Sequence, residues 1–386
     1  MEYMKLCDIC DFQGGSQPPK NEWSFDLKAG YIRMLQIRDF TQSERVTPEY
    51  IKITKTTKIC EADDILIARY GASLGKILTG LAGAYNVAIM RTIPETNVLE
   101  KRYLYYYLKS PVFQRFLLNV GSRAAQSGFN KNDLQDLLIP NISKRKQLEI
   151  IGILERVESV IETRKQELQK LDDLIKARFV EMFGDMFLNT MAWNEQPLES
   201  MADIVSGITK GRKIKEQCMI KVPYMAVSNV KDGYIDWTTI KTIEATKQEI
   251  EQYRLLPDDV LMTEGGDPDK LGRGAIIKEP LENCIHQNHI FRVRLNESMI
   301  LPGFFAEYLK HQKSKRYFLG CAKQTTGIAS INMTQLKSLP VLLPPMELQK
   351  KFLSFVEQIE KSKVAVQKAL EETQLLFDSL MQKYFS

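Results

Sequence analysis

The residues of this chain best suited to act on another molecule are cations, amides and hydroxyls gathered in loops. Lys210, Arg212, Lys213 and Lys215 place four cations within six residues. Phosphate oxygens take charge-assisted hydrogen bonds from Lys and Arg, and Arg, Gln and Asn also read base edges. Residues of the same kind recur at Arg69, Tyr70, Ser73 and Lys76; at Arg123, Gln126, Ser127, Asn130 and Lys131; at Lys270 and Arg273; and at Lys323, Gln324, Thr325 and Asn332. A solvated loop accounts for the same composition, and Asn130 and Asn332 equally suit helix N-caps.

Catalytic constellations are sparse. A methyltransferase acting on a flipped adenine uses Asn/Asp-Pro-Pro-aromatic, yet Pro18-Pro19 is followed by Lys20 and Pro344-Pro345 by Met346. There is no Walker-type phosphate loop. Glu264, Asp267, Asp269 and Lys270 could be imagined as a metal nuclease site, but Gly-Gly and Asp-Pro there also signal a turn. Cys284, His286 and His289 could be metal ligands, although His289 reads as part of a strand. Cys7-x-x-Cys10 is the one close cysteine pair and finds no further ligands to make a zinc or redox site. The expectation is no catalytic residue and no metal.

Several elements must position the loop residues. The chain of 386 residues repeats itself once, with a period of about 200 residues. Ser127-Gly-Phe-Asn-Lys-Asn-Asp-Leu134 returns as Ala329-Ser-Ile-Asn-Met-Thr-Gln-Leu336. Leu6…Asp11-Phe-Gln-Gly-Gly15 parallels Leu198…Asp203-Ile-Val-Ser-Gly207. Each half reads as a mixed, β-rich module followed by one helix. Strands are expected at Ile51–Thr54, Asp64–Ala68 and Val87–Met90, and again at Lys221–Val227, Asp259–Thr263 and His289–Leu295. Helical stretches are expected over Tyr103–Leu118, split at Pro111, and over Pro302–Phe318.

Residues 144–183 and 346–385 then read as long helices. Leu154, Val157, Ile161, Leu168, Leu171, Ile175 and Met182 fall at three- and four-residue steps, with Arg164 and Arg178 interrupting. Val356, Ile359, Val366, Leu370, Phe377 and Leu380 do the same, with Lys363 and Thr373 interrupting. Two such seams are best covered by each other, as an antiparallel coiled coil. At 1.5 Å per residue each helix is about 55–60 Å long, so modules at its ends could not share a small substrate. The expected architecture is α+β: module 1–142, helix 143–190, module 191–343, helix 344–386.

The net charge is +5, with the excess in the modules and both helices neutral, which favours a polyanionic partner for the modules. No apolar run approaches the roughly 18 residues of a membrane span, and the N-terminus lacks a signal peptide's apolar core. A cytoplasmic protein with reduced thiols is expected.

The order of these parts, occurring twice, resembles the specificity subunit of type I restriction–modification systems. The resemblance covers essentially the whole chain and rests on Leu…Asp-Ile-Val-Ser-Gly (198–207), Asp64-Ile-Leu-Ile-Ala-Arg-Tyr-Gly-Ala-Ser-Leu-Gly-Lys76, Gln287-Asn-His-Ile290 and the Pro/Leu-rich stretches leading to Gln147 and Gln349. The first of those stretches shows Pro140-Asn141 where the family has Pro-Pro. The resemblance implies a subunit without catalysis, whose two target recognition domains each read half of a split double-stranded DNA sequence. Its helices would set the spacer and dock two methyltransferase subunits, with motor-nuclease subunits joining. S-adenosylmethionine, ATP and magnesium would serve those partners, leaving no cofactor for this chain. The classes opposed to it are a stand-alone nuclease or methyltransferase and a protein-binding adaptor.

Overall fold

Two stretches of 40 residues, proline-free and with Gly152 their one glycine, fold as unbroken helices, Lys144–Phe183 and Met346–Phe385, in a computed structural model that describes residues 2–121, 128–212, 219–266, 271–325 and 328–386. Pro344-Pro345 precede the second helix, where proline's fixed φ is tolerated. Gly184, at φ 74°, ends the first in the left-handed conformation that costs glycine least.

The repeat is a repeat of fold. In the first module an antiparallel sheet runs Cys10–Gly14, Ile89–Pro94, Leu66–Ala68, Ile77–Leu78; in the second, Ala202–Ser206, Ile290–Leu295, Val260–Thr263, Gly274–Ile276. Register is kept: Leu66 faces Arg91 as Leu261 faces Arg292. A second sheet in each module contains one parallel pairing, Leu35 with Tyr85 and Met225 with His286. Split helices follow, Lys101–Lys109 with Pro111–Gly121 and Pro302–Lys310 with Gln312–Cys321. A last antiparallel pair ties each module's front to its end, Tyr3–Lys5 to Leu138–Pro140 and Asn194–Pro197 to Pro340–Leu343.

Two strands start later than expected for an electrostatic reason. Asp64 and Asp259 are not strand residues. Each is buried and accepts a backbone N–H three residues back, Glu61 N at 2.9 Å and Leu256 N at 2.7 Å. Each is matched by an arginine, Arg91 at 2.8 Å and Arg294 at 2.7 Å. A buried carboxylate so paired is tolerated where an unpaired one would not be. The strand expected to begin at Val87 starts at Ile89, and that expected over Lys221–Val227 ends at Met225.

The chain divides into two compact units, Met1–Glu167 with Val366–Ser386, and Leu168–Ala365. In the first, Tyr103, Tyr106, Tyr107 and Phe113 share a core with Ile150, Leu154 and Ile161 of one long helix and Phe377, Met381 and Phe385 of the other. Tyr103 lies 5.1 Å from Phe385 between ring centroids. In the second, Phe179, Phe183, Phe304 and Phe352 form a four-ring cluster with centroids 4.9–5.7 Å apart. There Lys363 meets Asp172 at 2.9 Å while Phe352 meets Phe179, so the helices run antiparallel. The interrupting arginines turn along their own helix, Arg164 to Glu167 and Arg178 to Glu181.

Gln147 and Gln349 join helix to module in the same way. The Gln147 side chain accepts from Glu100 N (2.9 Å) and donates to the carbonyls of Val98 and Ile142 (2.8 and 3.1 Å). That of Gln349 accepts from Leu301 N (2.9 Å) and donates to the carbonyls of Met299 and Pro344 (3.2 and 2.9 Å). Both are buried, so each amide satisfies backbone groups that burial would otherwise strand.

Candidate nucleic-acid interface

In the first module the end of strand Leu66–Ala68 leads into Arg69 and Tyr70, and Tyr70 bridges Gly128. Two segments some sixty residues apart, both rich in candidate residues, thus lie together. The Arg69 Nε donates to the Phe129 carbonyl at 3.0 Å, and its guanidinium sits 5.1 Å over the Tyr70 ring. A Cβ on Gly128 would come within 2.3 Å of that ring, so only glycine fits opposite the tyrosine. Ser73 and exposed Lys76 follow in the adjoining turn, where Lys76 N donates to the Ser73 carbonyl. Asn130 is an N-cap, accepting from Asn132 N at 2.8 Å, and Lys131 pairs with Asp11.

The second module builds the same edge from other residues. The Glu264 carbonyl accepts from Ile331 N at 2.8 Å, and Gly265 pairs with Ser330. Ser330 in turn pairs with exposed Lys323, in a small sheet whose strand Lys323–Thr325 includes Gln324 and Thr325. Glycine and partner have changed sides: Tyr70 opposite Gly128 becomes Gly265 opposite Ser330. Asn332 caps its helix, accepting from Gln335 N at 2.9 Å. The Arg273 carbonyl accepts from Thr263 N, setting Arg273 beside the same strand end. Asn288 N donates to the Ile208 carbonyl at 3.1 Å, which brings the start of the Lys210 loop there too.

Within that loop Lys210 is exposed, whereas Arg212 is engaged: its Nε and Nη2 each lie 2.6 Å from a Glu249 carboxylate oxygen, and Nη2 also donates to the Glu244 carbonyl. The ion pair holds the Glu249 carboxyl below its usual range. Arg123, Gln126, Ser127, Lys213, Lys215 and Lys270, with Asp267 and Asp269, lie outside the described residues.

The three residues considered as metal ligands point elsewhere. His286 is fully buried, its ring nitrogens 3.1 and 3.3 Å from the carbonyls of Tyr253 and Val205. The buried Cys284 thiol faces the Ile285 carbonyl. His289 stands just before its strand, not within it, and its Nδ1 lies 2.5 Å from Glu264 Oε2. Among the described residues no group of three His, Cys, Asp or Glu is placed to hold a metal, and no helix is long and apolar enough to cross a membrane.

Burial pushes the His286 pKa down from 6.5 to about 4. The folded state thus binds its proton less readily than the unfolded state does, and the chain should lose stability as pH falls from 6.5 to 4. The loss approaches about 3 kcal/mol. Thermal melts of wild type and His286→Gln across that range are expected to converge at low pH, and parallel curves would count against it.

The Glu264–His289 pair is the part of this edge that sequence reasoning did not assign to nucleic acid. It is visible only as one residue of a four-residue nuclease cluster, Glu264, and one of three possible metal ligands, His289. The available signal was the repeat: Glu264 takes the place of Arg69, and His289 that of Ala88.

Comparison with known proteins agrees with this duplicated plan. A family model described as the type I restriction modification DNA specificity domain matches residues 1–173 and again 191–374. A Methanocaldococcus jannaschii protein assigned as the MjaX type I restriction enzyme specificity subunit is 28% identical over 195 residues, 50% of this chain and 45% of that protein, so the match spans less than half of that relative. The EcoKI specificity subunit of Escherichia coli K12 is 21% identical over 389 residues, 93% of this chain and 82% of the relative. A solved chain from a study of complex assembly and conformational transition in a type I R-M system superposes with TM-score 0.60 at 16% identity, covering 99% of this chain and 97% of that one. The type I S subunit of M. genitalium gives 0.53 at 16% identity, covering 100% of this chain and 96% of that one. At such identities these structures establish the fold alone.

Proposed function

Because the chain belongs to the type I restriction modification DNA specificity family, we propose that it is the non-catalytic subunit that tells a DNA-modifying complex where to act. Each module reads one half of a bipartite double-stranded target. The long helices set the spacer and dock two methyltransferase subunits, and motor-nuclease subunits join them. S-adenosylmethionine, ATP and magnesium are used by those partners. The observation that carries the reading is the duplicated edge: in both modules a strand end, at Arg69-Tyr70 and at Glu264-Gly265, is bonded to the segment leading to the capped turn at Asn130 and Asn332. Lys76, Lys210 and Lys323 add exposed cations to these edges, suited to phosphates.

The test is methylation mapping by single-molecule sequencing in a host without methylation of its own, carrying the cognate methyltransferase with and without this chain. A split motif modified only when the chain is present is the expected result. Methylation indifferent to the chain would leave the protein-binding adaptor as the better account.

A further inference from the structure

At the matched corner of the two modules the same backbone position carries opposite chemistry. Arg69 N donates to the Ala88 carbonyl at 2.9 Å, and Glu264 N to the His289 carbonyl at 3.0 Å. Each residue also bonds the segment before the capped turn, Arg69 through its Nε to Phe129 and Glu264 through its carbonyl to Ile331. The two positions are therefore equivalent, yet the first module presents a guanidinium lying on an aromatic ring and the second a carboxylate held by an imidazole.

Stability gives little account of this pair. The Glu264 and His289 side chains are 34% and 55% exposed, the regime in which ion pairs contribute almost nothing. Its surroundings are informative. Arg273, Lys323 and the start of the Lys210 loop converge on the same strand end. Among cations suited to phosphates, a carboxylate repels backbone and accepts only from donors. Gly265 stands where the first module has Tyr70, so no ring covers the position. His289 occupies one lone pair of Oε2 and fixes the carboxylate, leaving the acceptor capacity of the remaining lone pairs.

We propose that Glu264 is a base-reading acceptor of the second module, taking the exocyclic amino group of a cytosine or adenine in the major groove. This rests on the reading of the chain as a DNA specificity subunit. Acidic side chains accept from cytosine N4, and a Gln there pairs bidentately with adenine. His289 is a positioning residue, acting through the carboxylate it holds.

Methylation mapping of wild type, Glu264→Ala and Glu264→Gln tests it. With Glu264→Ala, discrimination at one base of the second half-site is expected to fall about 10-fold, with the first half-site and the spacer unchanged. With Glu264→Gln, a shift towards adenine identifies a cytosine target, and a retained preference an adenine. An unchanged motif in both variants overturns the inference while leaving the wild-type motif, and with it the specificity reading, intact. Loss of methylation at every site in both variants, with unaltered thermal melts, also overturns it, because one acceptor governs one position. A wild-type chain that confers no motif overturns both.

Discussion

Exchange of residues 1–142 for the first module of another specificity subunit should rewrite one half of the methylated motif and preserve the other half. A fully changed half-site separates specific from non-specific binding, a difference of at least about a thousandfold, so the old motif should vanish from the methylation map rather than fade. The exchange is demanding because the module does not own its core. Tyr103, Tyr106 and Tyr107 pack with Ile150, Leu154, Phe377 and Phe385, and Gln147 bonds the backbone of Val98 and Glu100. A donor that keeps aromatic residues at these three positions and the Val98 carbonyl and Glu100 N–H within reach of Gln147 is expected to succeed. One that lacks them should yield insoluble protein. A chimera whose motif changed in both halves would contradict the division of labour between modules.

The second large effect is on stability. Phe352→Ala removes a fully buried ring that touches both Phe179 and Phe183. Truncating a core phenylalanine costs about 3–5 kcal/mol. For a unit of this size that amounts to a fall in Tm of about 10 °C, read by calorimetry. Val364→Ala on the same helix alters a residue 69% exposed and should move Tm by no more than about 1–2 °C. Equal shifts for the two variants would mean that the aromatic cluster is not what holds helix and module together.

What could be read from the sequence follows from the range of the signal. The first long helix was bounded correctly because its periodicity runs for 40 residues and Gly184 follows it. The repeat predicted that the fold would occur twice. The seam was read only in part. Phe179, Phe183 and Phe352 fell outside the counted steps because these turns face the second module as well as the other helix, and one period cannot describe a helix with two partners. Asp64 and Asp259 read as strand residues because their apolar followers dominate the pattern, whereas a buried charge is decided by an arginine some thirty residues away. The candidate edge is legible as separate loops, two in the first module and three in the second. Their meeting, and the pairing of Glu264 with His289 across 25 residues, is a matter of strand register that no local pattern carries.

The first unit is discontinuous, and this imposes an order on biosynthesis. Residues 1–167 leave the ribosome with one wall of their core missing, and the wall arrives with residues 366–386, about 200 residues later. At about 5–20 residues per second that is a wait of about 10–40 s. Through that interval Tyr103, Tyr106 and Tyr107 lack Phe377 and Phe385, and the half-built core is open to chaperones and to other nascent chains. The second unit, continuous from Leu168 to Ala365, is complete first. The module translated first is thus the module finished last.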